Sequence, residues 1–211
     1  MTSDLRTQTL EKVTDHALKL ASDRAWARLT LAALCAGSDV TLSDCATLAI
    51  TKADVCSHLD TRHDLLMLAT TPNVDHTQSV RDRLFDVLMG RFDVMETHRT
   101  AWLSIFEGER DDALAMLARQ VRRVKTATWA LEAAGVSASS LRGTAQAVAL
   151  ARVLRRCEKS WRGDNGDLAK TMASLDQDLR SAETWMERAN TLGAFLRPTS
   201  PSVKPEAEQT P

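Results

Sequence analysis

Tyrosine is missing from the 211 residues, and glycine and proline are scarce at 8 and 5. Three of the five prolines lie beyond residue 200, so the body of the chain holds few helix breakers. Together with an abundance of Ala, Leu, Arg and Asp, this predicts an all-α protein. No run of 18 apolar residues occurs, which excludes a membrane-spanning helix. The N-terminus lacks the charged-then-apolar pattern of a secretory signal, and a cytoplasmic location is expected. Cys35, Cys45, Cys56 and Cys157 show no paired spacing and read as small buried apolar residues in a reducing compartment. A Ser-His-Asp signature, a Gly-rich phosphate loop and an inward carboxylate pair are all wanting, so nothing argues for an enzyme or a cofactor.

What is present suffices for one large or two small domains. The net charge is -1, but it is distributed unevenly. Residues 1–70 carry seven Lys/Arg against nine Asp/Glu, whereas residues 110–162 carry eleven against four. A DNA-binding module normally holds the positive charge itself, because phosphate neutralisation supplies most of the affinity. Here the excess lies in the other half.

The organising stretch is residues 29–52, LTLAALCAGSDVTLSDCATLAITK. Thr30 can cap a short helix with Leu31, Leu34 and Cys35 as its apolar positions. Thr41 can cap a second, with Asp44 as the reciprocal half of a capping box. Gly37-Ser38-Asp39 breaks the pattern between them, and Val40 pins the turn. Two short helices on such a turn have the helix-turn-helix shape.

The spacing of Thr30, Leu34-Cys35, Ser38-Asp39-Val40-Thr41 and Lys52 resembles, without a gap, the DNA-binding region of the TetR family of regulators. The chain departs from that pattern with Asp39 in place of the turn glycine, and with Ala46 and Ala49 in place of an aromatic pair. The resemblance implies a TetR-like fold, with an N-terminal three-helix helix-turn-helix module over 1–70 and a helical ligand-binding and dimerisation domain over 71–196. A polar, proline-rich tail over 197–211 is expected to be disordered. The resemblance further implies DNA contacts from Thr30, Thr41, Ser43, Thr47 and Lys52. None of these is an arginine, so base discrimination should be poor.

Along the chain, residues 5–23 form an amphipathic helix with Leu10, Val13, Ala17 and Leu20 on one face. Thr51 and Asp54 mark a helix over 52–70, which ends before Pro72. Further helices are expected from about 80, over 98–106, over 110–134 up to a Gly135 cap, over 138–162 and over 167–190. On the 110–134 helix the predicted inward residues are Leu114, Leu117, Val121, Val124 and Leu131. The segments SVRDRLFDVLMGRFD, WALEAAG and TMASLDQDLR also resemble a TetR-fold branch near the lipid-binding accessory proteins of coenzyme Q biosynthesis. Those keep the fold and bind isoprenoid lipid. The partner-docking motif of that family is absent here, and its C-terminal membrane helix is at most a stub at 192–196.

Three groups of residues invite chemical readings. Cys56, His58, Asp60 and His63 are crowded, but no second ligand pair has zinc-type spacing, so they read as an ordinary polar face and no metal is expected. Arg119, Arg122, Arg123 and Lys125, like Arg152, Arg155, Arg156, Lys159 and Arg162, read as solvated helix surface, although acidic headgroups or an acidic partner could use them. By the TetR resemblance, Phe85, Leu88, Trp102, Phe106, Met116 and Trp129 would line a cavity for an apolar small molecule or lipid. The last two long helices have more apolar positions than one protomer needs. They predict a homodimer through Leu141, Val148, Leu168, Met172, Leu175 and Leu179. The leading expectation is a TetR-type transcriptional regulator; the alternative is a lipid-binding accessory protein that has lost operator binding.

Overall fold

The computed structural model describes residues 2–71 and 77–195, with side chains over 4–71 and 77–184. The segment 197–211, expected to be disordered, lies outside the described residues. The fold is all-α, a smaller N-terminal cluster of helices beside a larger C-terminal bundle. The elements are α1 (Thr2–Asp23), a 3-10 turn (Trp26–Arg28), α2 (Leu31–Cys35), α3 (Leu42–Thr47), α4 (Lys52–Thr70), α5 (Val80–Glu96), α6 (Arg99–Gly108), α7 (Ala113–Ala133), α8 (Leu141–Arg162) and α9 (Ala169–Phe195).

Local chemistry sets most of these limits. The hydroxyls of Thr30, Thr41, Thr51, Ser79 and Ser140 each accept a backbone N–H of the first turn that follows, and at Thr41 and Thr51 a full capping box forms with Asp44 and Asp54. Thr71, the residue before Pro72, is extended at φ -75° and ψ 125°, and α4 ends there. After α7, Gly135 takes φ 77°, and the Val136 N–H returns to the Leu131 carbonyl at 2.9 Å. A side chain at Gly135 would strain that reversal.

One continuous core runs across position 70, joining Val13, Leu34 and Met67 to Phe92, Ile105 and Trp161. Helix α1 packs on α6, and α4 packs on α5 and α7. The Trp26 N–H also donates to Ser104 Oγ at 2.9 Å. The two clusters therefore share α4 as a common wall.

Helix α7 differs from its predicted orientation. Leu114, Leu117 and Val121, expected inward, are 79%, 63% and 64% exposed, while Arg119, Arg122, Thr126, Ala127 and Ala130 are buried. Facing carboxylates decide this rotation.

Candidate functional site

The two short helices α2 and α3 form on a turn as their caps require. The turn after α2 passes through Asp39 at φ 54°, a left-handed conformation that aspartate tolerates better than most residues. Cys45 is buried against Cys35, with the two sulfurs 3.3 Å apart. Burial and the Cys45 thiol push the Cys35 thiol up to about 12, so Cys35 stays protonated near neutral pH.

The frame leaves little to meet a phosphate. Lys52, expected to contact DNA, turns inward instead. Its ammonium donates to the Trp26 and Leu29 carbonyls at 2.6 and 2.7 Å and lies 4.5 Å from the centre of the Trp26 ring. Two carbonyls that converge beside an indole outcompete solvent for this cation. Thr30 and Thr41 spend their oxygens on capping. Thr47 Oγ donates back to the Ser43 carbonyl at 2.9 Å, which leaves its lone pairs open. On α3 the exposed side chains are Leu42, Ser43, Asp44, Ala46 and Thr47, with one carboxylate and no cation.

The residues expected to line a ligand cavity lie in different surroundings. Trp102 and Phe106 belong to a packed aromatic run. Trp102 meets His63 edge-on at 5.0 Å, and Phe106 meets Trp161 at 5.9 Å. Leu88 is wholly buried and Phe85 half-buried, while Met116 and Trp129 face solvent. The six thus lie partly in the core and partly at the surface, and the inner face of α7 is polar. An apolar groove of about 380 Å³ opens elsewhere, between α5, α7, α8 and α9. Leu84, Leu131, Val136, Leu150, Val153 and Leu179 form its floor and walls, and Arg81, Arg152 and Arg156 stand along it. Arg81 pairs with Asp82 at 2.8 Å and Arg156 with Asp178 at 3.0 Å. Arg152 is exposed and has no carboxylate partner among the described residues.

The predicted dimer residues divide. Leu168, Leu175 and Leu179 are buried within the protomer, where α9 packs on α8 and α5, so they are unavailable to a partner. Leu141, Val148 and Met172 do face outward.

Beneath α7 lies a buried ionic network that the sequence reading took for surface. Asp60 on α4 receives Arg91 and Arg122, each at 2.6 Å. Arg122 continues to Glu109 at 2.7 Å, and Glu109 receives Arg119 at 2.9 Å. Glu158 on α8 takes Arg123 through two nitrogens, the nearer at 2.7 Å. Asp64 accepts from Arg91 and from the Thr126 hydroxyl. Four arginines thus meet four carboxylates, each ion with a partner, as burial demands. Burial pushes Asp60 and Glu158 upward, but Arg91 and Arg122 on one, and Arg119 and Arg123 on the other, hold both below their ordinary values. Burial prevails at Asp64 and raises it. The signal was in the sequence: Arg119, Arg122 and Thr126 share helical spacing with Ala127 and Ala130, opposite Asp60 and Asp64 one turn apart on α4.

The Cys56, His58, Asp60 and His63 group disperses. Asp60 joins the network, and the buried Cys56 thiol is raised by desolvation and by Glu109. His58 Nε2 lies 3.2 Å from Glu11 without hydrogen-bond geometry. No group of three or more ligating side chains is placed to hold a metal among the described residues. His63 is a satisfied core imidazole. Its Nδ1 is 2.8 Å from the Leu59 carbonyl, and its Nε2 accepts from Trp102 at 3.2 Å.

Burial lowers the His63 pKa to about 4. The unfolded chain therefore binds a proton at His63 between pH 6.5 and 4 that the folded chain refuses, so acidification through that window destabilises the fold. The full effect is about 3 kcal/mol. In thermal melts from pH 7 to 4, His63→Gln should lose most of this slope; an unchanged slope would place the titration elsewhere.

No membrane-spanning helix occurs among the described residues. No family model matches the chain, nor does any curated protein or solved structure in the comparisons made.

Proposed function

We propose that this chain is a ligand-binding protein of TetR-like helix-turn-helix architecture, whose groove between α5, α7, α8 and α9 takes an apolar molecule with an acidic head. The observation that carries this reading is the groove itself: aliphatic walls with Arg81, Arg152 and Arg156 along them. An acyl or isoprenoid segment gains about 0.8 kcal/mol per buried methylene. Arg152, which has no carboxylate partner among the described residues, is the natural partner for an anionic head, with Glu183 as the one carboxylate among the groove's lining residues.

The chemistry of α3 favours the accessory-protein form of this reading, in which operator binding has been lost. A six-residue helix with no cation and one carboxylate has little to neutralise phosphate. A transcriptional regulator is the second reading, and the intact frame of α2, turn and capped α3 favours it.

Organic extraction of the purified protein followed by mass spectrometry should recover a copurifying lipid. A long-chain fatty acid should bind more tightly than the matching alcohol. Arg152→Glu should abolish that preference and leave binding of the alcohol unchanged. An empty extract with no binding of either probe would sink the proposal. Binding to genomic DNA fragments should be undetectable or weak and strongly salt-dependent; a tight complex persisting at high salt would establish the regulator reading.

A further inference from the structure

Helix α7 turns its arginines inward and its aliphatic side chains to solvent, the reverse of the usual arrangement of a bundle helix. Leu114, Leu117 and Val121 form a stripe of three largely exposed residues. The exposed Lys125 follows Val121 on the same face, and in the register that Thr61–Lys125 and Asp64–Thr126 set between α4 and α7 the exposed Leu65 and Trp129 lie one turn beyond it. An exposed aliphatic stripe of this kind marks an interaction site.

The charges at its two ends indicate the occupant. The end of α6 and the turn before α7 hold Glu107, Asp111 and Asp112 around Arg110, and Asp111, 3.5 Å from that arginine, is 86% exposed. At the other end of the stripe stands the exposed Lys125. We propose that α7 pairs antiparallel with α7 of a second copy of this chain about a two-fold axis near Leu117. That operation sets Leu114 against the partner copy's Val121 and brings Lys125 within a turn of the partner copy's Asp111. One surface is thus complementary to itself in both apolarity and charge, as an isologous interface requires.

The alternatives fit less well. Residues 197–211 contain Val203 as their only aliphatic residue larger than alanine, so the tail has nothing to lay on the stripe. The outer face of α8 carries exposed Arg152, Arg155 and Lys159, and two copies meeting there would oppose like charges. The seam on α7 is independent of the ligand groove, so its failure would leave the proposed function untouched.

Sedimentation velocity on the full chain across the micromolar range tests it, with circular dichroism verifying the fold of each variant. Wild type should form a reversible dimer. Leu117→Glu should be monomeric throughout, with its helicity retained. Lys125→Asp should weaken the dimer roughly threefold to tenfold, since two symmetric exposed pairs are lost. Adding Asp111→Lys to that variant should restore it. Met172→Glu, on the outer face of α9, should leave the dimer intact. A monomeric wild type, a dimeric Leu117→Glu, a charge swap that fails to restore, or dissociation by Met172→Glu would each overturn the proposal.

Discussion

Arg122→Ala should destabilise the fold by about 3 to 5 kcal/mol, lowering the melting temperature by roughly 10 °C for a chain of this size. Arg122 is buried between Asp60 and Glu109 and holds both, at 2.6 and 2.7 Å. Its removal strands a carboxylate oxygen on each side of the α4–α7 contact, where water reaches neither freely. Much of the loss is the penalty of leaving those charges uncompensated, rather than the net worth of the pairs. Arg122→Lys should fall between, because a single ammonium cannot reproduce the fork that reaches two carboxylates. Arg155→Ala, on the solvent face of α8, should change stability by less than about 0.5 kcal/mol. Urea unfolding monitored by circular dichroism measures all three, and equal costs at Arg122 and Arg155 would refute the buried network.

Trp161→Ala should cost a similar 3 to 5 kcal/mol, while Trp129→Ala costs less than about 1. Trp161 is fully buried, edge-on to Phe106, with the Arg99 guanidinium 4.6 Å from its ring centre and its Nε1 donating to Glu96 at 2.8 Å. Truncation opens a cavity where α5, α6 and α8 meet and removes one of the hydrogen bonds to Glu96 Oε2, which keeps Arg99 at 2.9 Å. Trp161→Phe keeps most of the packing and should lose only about 1 to 2 kcal/mol with the hydrogen bond. Trp129 is 44% exposed and loses little on truncation. The contrast separates a core tryptophan from a surface one through denaturation midpoints, and equal costs would show that Trp129 is buried after all.

Helix existence and helix ends were legible in the sequence because both depend on neighbours within a turn. Thr30, Thr41 and Thr51 cap where their spacing to the next helix says they should, and Pro72 stops α4. The pair of short capped helices α2 and α3 followed from the same local rules. Faces with a simple apolar period were also readable, as in α1, where Leu10, Val13 and Ala17 are buried.

Which face of α7 turns inward was decided by tertiary structure. By local pattern Leu114, Leu117 and Val121 are the obvious inner stripe, and Arg119, Arg122 and Arg123 the outer one. Asp60, Glu109 and Glu158 reverse that order, since they come from three other parts of the chain and are buried themselves. A buried carboxylate demands a cation more strongly than an exposed leucine demands cover. That exchange moved the aromatic residues into plain core or to the surface and left the open groove between α5, α7, α8 and α9. Lys52 follows the same logic on a smaller scale. Its position in the sequence fits a phosphate contact, but the carbonyls of Trp26 and Leu29, brought close only by folding, take the ammonium first. Sequence determined where each helix begins and ends; long-range charge pairing determined what each helix shows to solvent, because Coulombic partners far apart in the chain leave no local period to read.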